Sequence, residues 1–171
     1  QHETELGIGF PEKLHKKTED PDLDAAAKIV TVPSNQFSSD SAYTFIEKQL
    51  SFGFRVTGSA SSKRCGEWLY QKLRSYTDTA YLQQGEVTTY DKKNLPIMNI
   101  IGSFNPKSTK RILLASHWDS RPWADQDTKD PNKPIEAAND GASGVAVLLE
   151  LARNLSQKKP DIGIDIVFFD A

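Results

Sequence analysis

The spacing of apolar residues predicts two helices in the first half of the chain. Apolar positions recur every three or four residues over residues 40–51 and again over residues 61–76, which is typical of amphipathic helices. Gly53 follows the first segment, and glycine commonly ends helices. The apolar positions are Tyr43, Ile46 and Leu50 in the first helix and Cys65, Trp68, Leu69 and Leu73 in the second.

The later part of the chain combines apolar strands with one strongly apolar helix. Residues 80–90 are rich in Thr, Tyr and Val, and residues 97–104 are mostly apolar, so we predict a strand in each. Residues 111–116 are almost continuously apolar, which predicts a strand buried on both faces. A helix with a wide apolar surface over residues 142–154 and a fourth strand over residues 164–169 complete the pattern.

Strand, helix and strand over residues 111–169 form a βαβ unit, and such crossovers are almost always right-handed. We therefore expect the two strands to be parallel, with both carboxyl ends at one edge of the sheet. The chain is predicted to be an α/β protein with a mixed, mostly parallel open sheet and helices on both faces. The polar residues expected to converge at this edge are His117, Asp119, Asp140 and Asp170.

Composition narrows the class of protein. A length of 171 residues predicts one domain, with residues 1–24 as a polar arm and residues 25–171 as part of a single α/β domain. The net charge of −2 and the scattered basic residues argue against a nucleic-acid surface, and no apolar run has a membrane-spanning length. Cys65 has no partner for an internal disulfide, and we expect it to be a buried structural thiol.

Imidazole and carboxylate, two common zinc-binding groups, follow the strand over residues 111–116. His117 and Asp119 point to the same side of an extended chain, so the carboxylate can orient the imidazole. The simpler alternative is a partly buried histidine satisfied by a neighbouring acid. Asp140 lies at the start of the apolar helix, where an N-cap is the simpler interpretation. Gly141 and Gly144 keep that first turn free of bulk, which capping does not require.

A long connection over residues 121–138 carries three prolines, and loops of this length are usually functional or mobile. Trp118 and Trp123 flank its start. Spacing leaves two interpretations open for them. Either they pack against the loop, or they form an aromatic wall for a substrate, with Trp123 as the candidate substrate-binding residue.

Three ordered motifs together resemble the M28-type zinc-dependent exopeptidases, and within that group the bacterial glutaminyl cyclases. The similarity extends more weakly from about residue 40 onward, and the run from His117 to Asp125 favours the cyclases. The motifs are Leu114-Ala-Ser-His-Trp-Asp-Ser120, Ala138-Asn-Asp-Gly-Ala-Ser-Gly144 and Ile164-Asp-Ile-Val-Phe-Phe-Asp-Ala171.

The resemblance implies roles for the site residues. Asp140 is the implied zinc ligand. His117 lines the site without binding metal in the single-zinc cyclases, whereas it is a ligand in the two-zinc aminopeptidases, where Asp140 bridges the metals. Asp119 orients His117 in both cases. In this family the general acid/base follows the motif that ends at Ala171, so we expect a truncated chain with an incomplete sheet that is inactive alone.

Three functions follow as hypotheses. The first is zinc-dependent cyclisation of an N-terminal glutamine to pyroglutamate with release of ammonia, using one zinc ion. The second is a two-zinc aminopeptidase, and the third is a non-catalytic binding domain on the same scaffold. The resemblance implies peptide or protein substrates with N-terminal glutamine, a monomer, and a periplasmic or envelope-attached location with a signal peptide already removed.

Overall fold

The computed structural model describes residues 37–170, so the predicted polar arm over residues 1–24 lies outside the described residues. All seven predicted elements are present, with bounds within a few residues of those expected. The helices are α1 (Ser39–Leu50), α2 (Ala60–Arg74) and α3 (Gly144–Gln157). The strands are β1 (Thr79–Thr88), β2 (Asn94–Phe104), β3 (Arg111–His117) and β4 (Gly163–Phe169).

The four strands form one sheet in the order β1-β2-β4-β3. β3 and β4 pair in parallel with His117 opposite Phe169, which confirms the predicted crossover. The mixed α/β architecture is also confirmed. A parallel majority is not observed among these strands, because β1 and β2 form a hairpin and β2 pairs antiparallel with β4.

The described helices pack on one face of the sheet, where they enclose the core. Expected helices on the second face are not found among residues 37–170. The buried core combines α2, α3 and the strand residues that face them, and includes Leu69, Leu73, Ile100, Phe104, Val145, Leu149, Ile166 and Phe168. Cys65 is fully buried in this core, which confirms its predicted burial, and burial raises the pKa of its thiol to about 12.

The expectation that β3 is buried on both faces is wrong for the described structure. β3 is an edge strand, and Ile112 and Leu113 are 45% and 62% exposed. Its apolar composition is typical of an interior strand, but its far edge has no partner strand within residues 37–170. Leu113 lies on the sheet face opposite the helices, since its parallel partner Asp165 alternates with the core residues Ile164 and Ile166.

A buried carboxylate joins α3 to the start of α1. Glu150 Oε1 accepts a hydrogen bond of 2.9 Å from the Ser38 N–H, and its carboxylate also pairs with Arg153 at 2.6 Å. Burial by itself raises the pKa of Glu150. Hydrogen bonds from Arg153, Ser38, Ser41 and Asn154 outweigh that effect and lower the pKa to about 2.

No helix within the described part of the chain is both long and apolar enough to cross a membrane.

Ionised Glu150 stabilises the fold above its unfolded-state pKa of about 4.5, and this contribution is lost as the pH falls towards 2. We expect Glu150→Gln to lower the free energy of unfolding at pH 7 by about 2–3 kcal/mol. The difference from wild type should shrink between about pH 4.5 and pH 2. Urea unfolding at several pH values measures it, with the exposed Glu67→Gln as control. A difference that stays constant from pH 7 to pH 3 would contradict this assignment.

Candidate metal centre at the end of strand β3

The edge of the sheet where β3 ends carries His117 and Asp119. His117 is the last residue of β3, and its Nδ1 lies 3.1 Å from Asp119 Oδ1. Trp118, between them, points into the core, so the two polar side chains share the opposite side as the alternation of an extended chain requires. The carboxylate of Asp119 therefore orients the imidazole of His117.

Asp140 enters the same site from a distorted turn over Ala138–Ser143. Asp140 and Gly141 depart from helical geometry within this turn, with φ, ψ of −82°, 92° and 103°, −59°. The N-cap interpretation of Asp140 is wrong, because α3 begins four residues later at Gly144 and no side-chain capping bond is formed. The carboxylate of Asp140 instead lies beside the imidazole, with Oδ1 3.0 Å from His117 Nε2.

His117 thus lies between two carboxylates, each within hydrogen-bond distance of a different ring nitrogen. A neutral imidazole carries one N–H and donates to one of them at a time. The side chains of His117 and Asp140 are 46% and 63% exposed, and that of Asp119 is 20% exposed. Asp140 is therefore the carboxylate most open to a ligand, and Asp119 is the inner, orienting group.

The chemistry of these side chains fits zinc, but their number does not complete a site. Carboxylate oxygen and imidazole nitrogen are both zinc ligands, and a catalytic zinc uses about three protein ligands. Within residues 37–170 no group of three or more His, Cys, Asp or Glu side chains is arranged to hold a metal ion. The described residues could supply at most part of a zinc centre, with Asp140 as the most accessible candidate ligand.

The glycines at the start of α3 make room for the end of β3. A Cβ atom at Gly141 would lie 3.0 Å from the Cε1 atom of His117 and 3.1 Å from the backbone oxygen of Asp119. A Cβ atom at Gly144 would collide with the side chain of Ser116. The space left by these two glycines is therefore occupied by the end of β3. This close approach allows the short distance between His117 and Asp140.

Asp170 lies at the same sheet edge but does not join this group. Its carboxylate is 4% exposed and accepts hydrogen bonds of 2.9 Å from Thr57 Oγ1 and from the Met98 N–H. Burial raises the pKa of Asp170, and these two hydrogen bonds oppose the rise. Its contacts tie β4 to β2 and to the loop that precedes α2, which indicates a structural role in the described chain.

The two tryptophans lie in different environments. Trp118 is fully buried, and its Nε1–H donates to the Met98 carbonyl at 3.2 Å, so it belongs to the core and does not form a substrate wall. Trp123 is 43% exposed on the long loop, in a shallow depression beside Tyr90, Arg121 and Asp125. Its assignment to substrate binding stays a prediction.

Sequence reasoning missed Arg55, a fully buried residue whose guanidinium reaches the loops on both sides of the site. No periodicity or motif marks it, because it lies in the irregular segment between α1 and α2. The signal available in sequence is only that a charged residue stands among Phe54, Val56 and other apolar neighbours.

Comparison with known proteins shows what the chain is similar to. A model of peptidase family M28 matches residues 99–171. The solved structure of a Tannerella forsythia glutaminyl cyclase is 47% identical with a TM-score of 0.77, over 79% of this chain and 47% of that one. A Zn-dependent exopeptidase from Parabacteroides distasonis gives the same identity, TM-score and coverage. Bovine glutaminyl-peptide cyclotransferase is 33% identical over 82 residues, 42% of this chain and 22% of that protein.

The chain is thus similar in sequence and in fold to the M28-type zinc exopeptidases. Within that class it is similar to the bacterial glutaminyl cyclases, so the resemblance drawn from the three motifs is confirmed. The chain spans about half the length of these solved structures and about a fifth of the bovine relative.

Gly141→Ala should disturb the site more than a positive φ alone explains. Gly141 has φ 103° and its missing Cβ faces the His117 ring, whereas Gly53 has φ 91° with nothing nearer than Ser61 Oγ at 3.5 Å. We expect G141A to lower the free energy of unfolding by about 1–3 kcal/mol more than the control G53A. Urea unfolding measures this, and NMR of the His117 ring should show shifts in G141A only. Equal losses without ring shifts would mean that His117 has room to move.

Proposed function

We propose that the protein cyclises the N-terminal glutamine of peptides to pyroglutamate, with zinc as cofactor and ammonia as the second product. The observation that carries the proposal is the exposed Asp140 carboxylate, held 3.0 Å from His117 in a chain 47% identical to a glutaminyl cyclase. Asp140 would be the zinc ligand contributed by this part of the chain. When bound, zinc supplies Lewis-acid polarisation of the γ-carbonyl of the substrate glutamine.

The residues of this chain would prepare the substrate for an intramolecular reaction. The nucleophile is the substrate's own α-amine, so holding the peptide in a bent conformation supplies much of the rate acceleration. His117 lies beside Asp140 and would line the pocket in which the γ-amide sits. Asp119 fixes the orientation of the His117 ring through the 3.1 Å contact with Nδ1. Trp123 on the neighbouring loop is proposed to contact the peptide beyond its first residue.

A two-zinc aminopeptidase is the second candidate, because the same pair of residues would serve it. There Asp140 would bridge two metals and His117 would bind one of them through Nε2, the nitrogen that faces Asp140 at 3.0 Å. The contact between His117 Nε2 and Asp140 fits either role, so the number of bound zinc ions separates the two candidates. We propose further that the protein acts as a monomer on peptides and proteins in the periplasm or attached to the envelope.

The test uses the protein encoded by the complete gene, incubated with zinc and a short peptide that begins with glutamine. Cyclisation predicts a product lighter than the substrate by one ammonia, read by mass spectrometry, and one bound zinc per protein. Release of free glutamine together with two bound zinc ions would establish the aminopeptidase instead. Neither product, with no zinc bound, would favour a non-catalytic binding domain.

Asp140→Asn should abolish the reaction, because a neutral amide is a much poorer zinc ligand than a carboxylate. We expect zinc affinity to fall by about 100-fold or more and pyroglutamate formation to become undetectable. Chelator competition measures the affinity and mass spectrometry the product. The matched control is Asp161→Asn, an exposed aspartate ahead of β4, which should behave as wild type. Full zinc affinity in D140N would remove Asp140 from the metal centre.

A further inference from the structure

Arg55 is a buried cation whose hydrogen bonds go to backbone carbonyls. Its side chain is fully buried. Nε donates to the Trp118 carbonyl at 3.0 Å, Nη1 to the Glu136 carbonyl at 3.0 Å and Nη2 to the Ala137 carbonyl at 2.9 Å. Among residues 37–170, no carboxylate accepts a hydrogen bond from this guanidinium.

The three carbonyls belong to the two segments that carry the site. Trp118 stands between His117 and Asp119, while Glu136 and Ala137 directly precede the turn that holds Asp140. The backbone of Arg55 adds a fourth link, since its carbonyl accepts a hydrogen bond of 3.0 Å from the Ser120 N–H. One residue therefore ties the end of β3 to the entry of the Asp140 turn, across the whole loop between them.

The backbone at the Arg55 contact is unusual. Ala137 has φ 52° and ψ 47°, a left-handed conformation that is unfavourable for an alanine. Such conformations persist where the surrounding contacts determine them. The Ala137 carbonyl accepts from Arg55 Nη2 at 2.9 Å and from the Ala142 N–H at 3.3 Å, so the guanidinium holds this peptide in place.

The other end of the turn is held by a neutral side chain. Gln49, fully buried on α1, donates from Nε2 to the Ala142 carbonyl at 3.0 Å. The Asp140 turn is thus anchored at residue 137 by Arg55 and at residue 142 by Gln49. Burying a charged side chain costs far more free energy than burying an amide. The contact of Gln49 shows that a neutral side chain can anchor this turn. The guanidinium differs in reaching three carbonyls on two segments at once, with its planar fork of donors.

We propose that Arg55 is the positioning residue that sets the distance between the His117–Asp119 pair and Asp140, and so prepares the metal centre. Arg55 acts through the backbone of residues 118 and 136–137 and does not touch the reacting groups. The inference rests on the proposed function for its metal-binding consequence. Its structural part, the clamp between the two segments, does not depend on that function.

The test compares Arg55→Lys with wild type in the protein encoded by the complete gene. Lysine keeps the charge but has a single nitrogen, which cannot span the three carbonyls. We expect zinc affinity, measured by chelator competition, to fall by about 10- to 100-fold, the usual effect of removing an outer-shell contact. The visible spectrum of the cobalt-substituted protein should change as well, because it reports the coordination geometry directly.

The matched control is Arg111→Lys. Arg111 lies at the opposite end of β3 and likewise donates to a carbonyl, that of Asn105 at 2.7 Å, besides pairing with Asp165. R111K is expected to lose some thermal stability while keeping wild-type zinc affinity and cobalt spectrum. A folded R55K protein with wild-type zinc affinity and cobalt spectrum overturns the proposal.

Amide hydrogen exchange on the metal-free proteins separates the clamp from the proposed function. Exchange at Ser120 and Ala142 should be faster in R55K by on the order of tenfold, since the Ser120 N–H donates to the Arg55 carbonyl and the Ala142 N–H to the Ala137 carbonyl. If the wild-type protein binds no zinc, the proposed function fails. The exchange rates alone then test whether Arg55 clamps the two segments. Unchanged exchange at both amides would then overturn it.

A second variant covers the case in which R55K does not fold. Ala137→Pro cannot adopt φ 52°, so it displaces the carbonyl that Nη2 contacts while Arg55 stays in place. Glycine adopts that conformation readily, which makes A137G the conformational control. We expect A137P to lose zinc affinity by about 10-fold or more relative to A137G. Equal affinities in two folded proteins would overturn the proposal.

Discussion

The site depends on the parallel pairing of β3 with β4. This pairing places His117 opposite Phe169, and the chain continues the contact one step further, with the Trp118 N–H donating to the Phe169 carbonyl at 2.9 Å. The crossover helix α3 follows β3 in the chain, so it begins near this edge of the sheet and packs against the core from there. Because α3 is preceded by a turn and not by a regular cap, the Asp140 carboxylate is directed back towards β3 and away from the helix axis.

Buried polar side chains hold the irregular segments of the described chain. Arg55 and Gln49 anchor the two ends of the Asp140 turn, Glu150 holds the start of α1, and Asp170 links β4 to the loop before α2. Each of these groups is costly to bury, and each forms at least one hydrogen bond with a backbone group. Their placement explains how a site on loops reaches a defined geometry, because the loops are fixed from the core side while their outer side chains stay exposed.

The described residues could hold only part of a zinc centre, and the chain spans about half the length of the solved structures to which it is similar. β3 is an edge strand of the described sheet. Its apolar side chains at Ile112 and Leu113 have the composition of an interior strand, yet they are 45% and 62% exposed. The apolar composition of β3 therefore predicted a more enclosed environment than the one this strand has within residues 37–170.

Several features follow from the sequence by itself. The helix and strand periods, the βαβ crossover and the gathering of His117, Asp119 and Asp140 at one edge are all readable because each depends on local spacing and on the handedness of the connection. The buried thiol of Cys65 was also predictable, since it lies on an apolar helix face. The three motifs predicted the similarity to the M28-type zinc exopeptidases, and a model of peptidase family M28 matches the residues that contain them.

The tertiary structure alone decided the rest. The exposure of β3, the burial of Trp118, the divergence of Asp170 from the site and the role of Arg55 all depend on which residues distant in sequence lie beside them. Asp140 shows the limit most clearly. Its place before an apolar helix suggests a cap, but the contact with His117, 23 residues earlier, directs its carboxylate into the site. Local sequence determines which conformations a residue can adopt, whereas long-range packing selects among them.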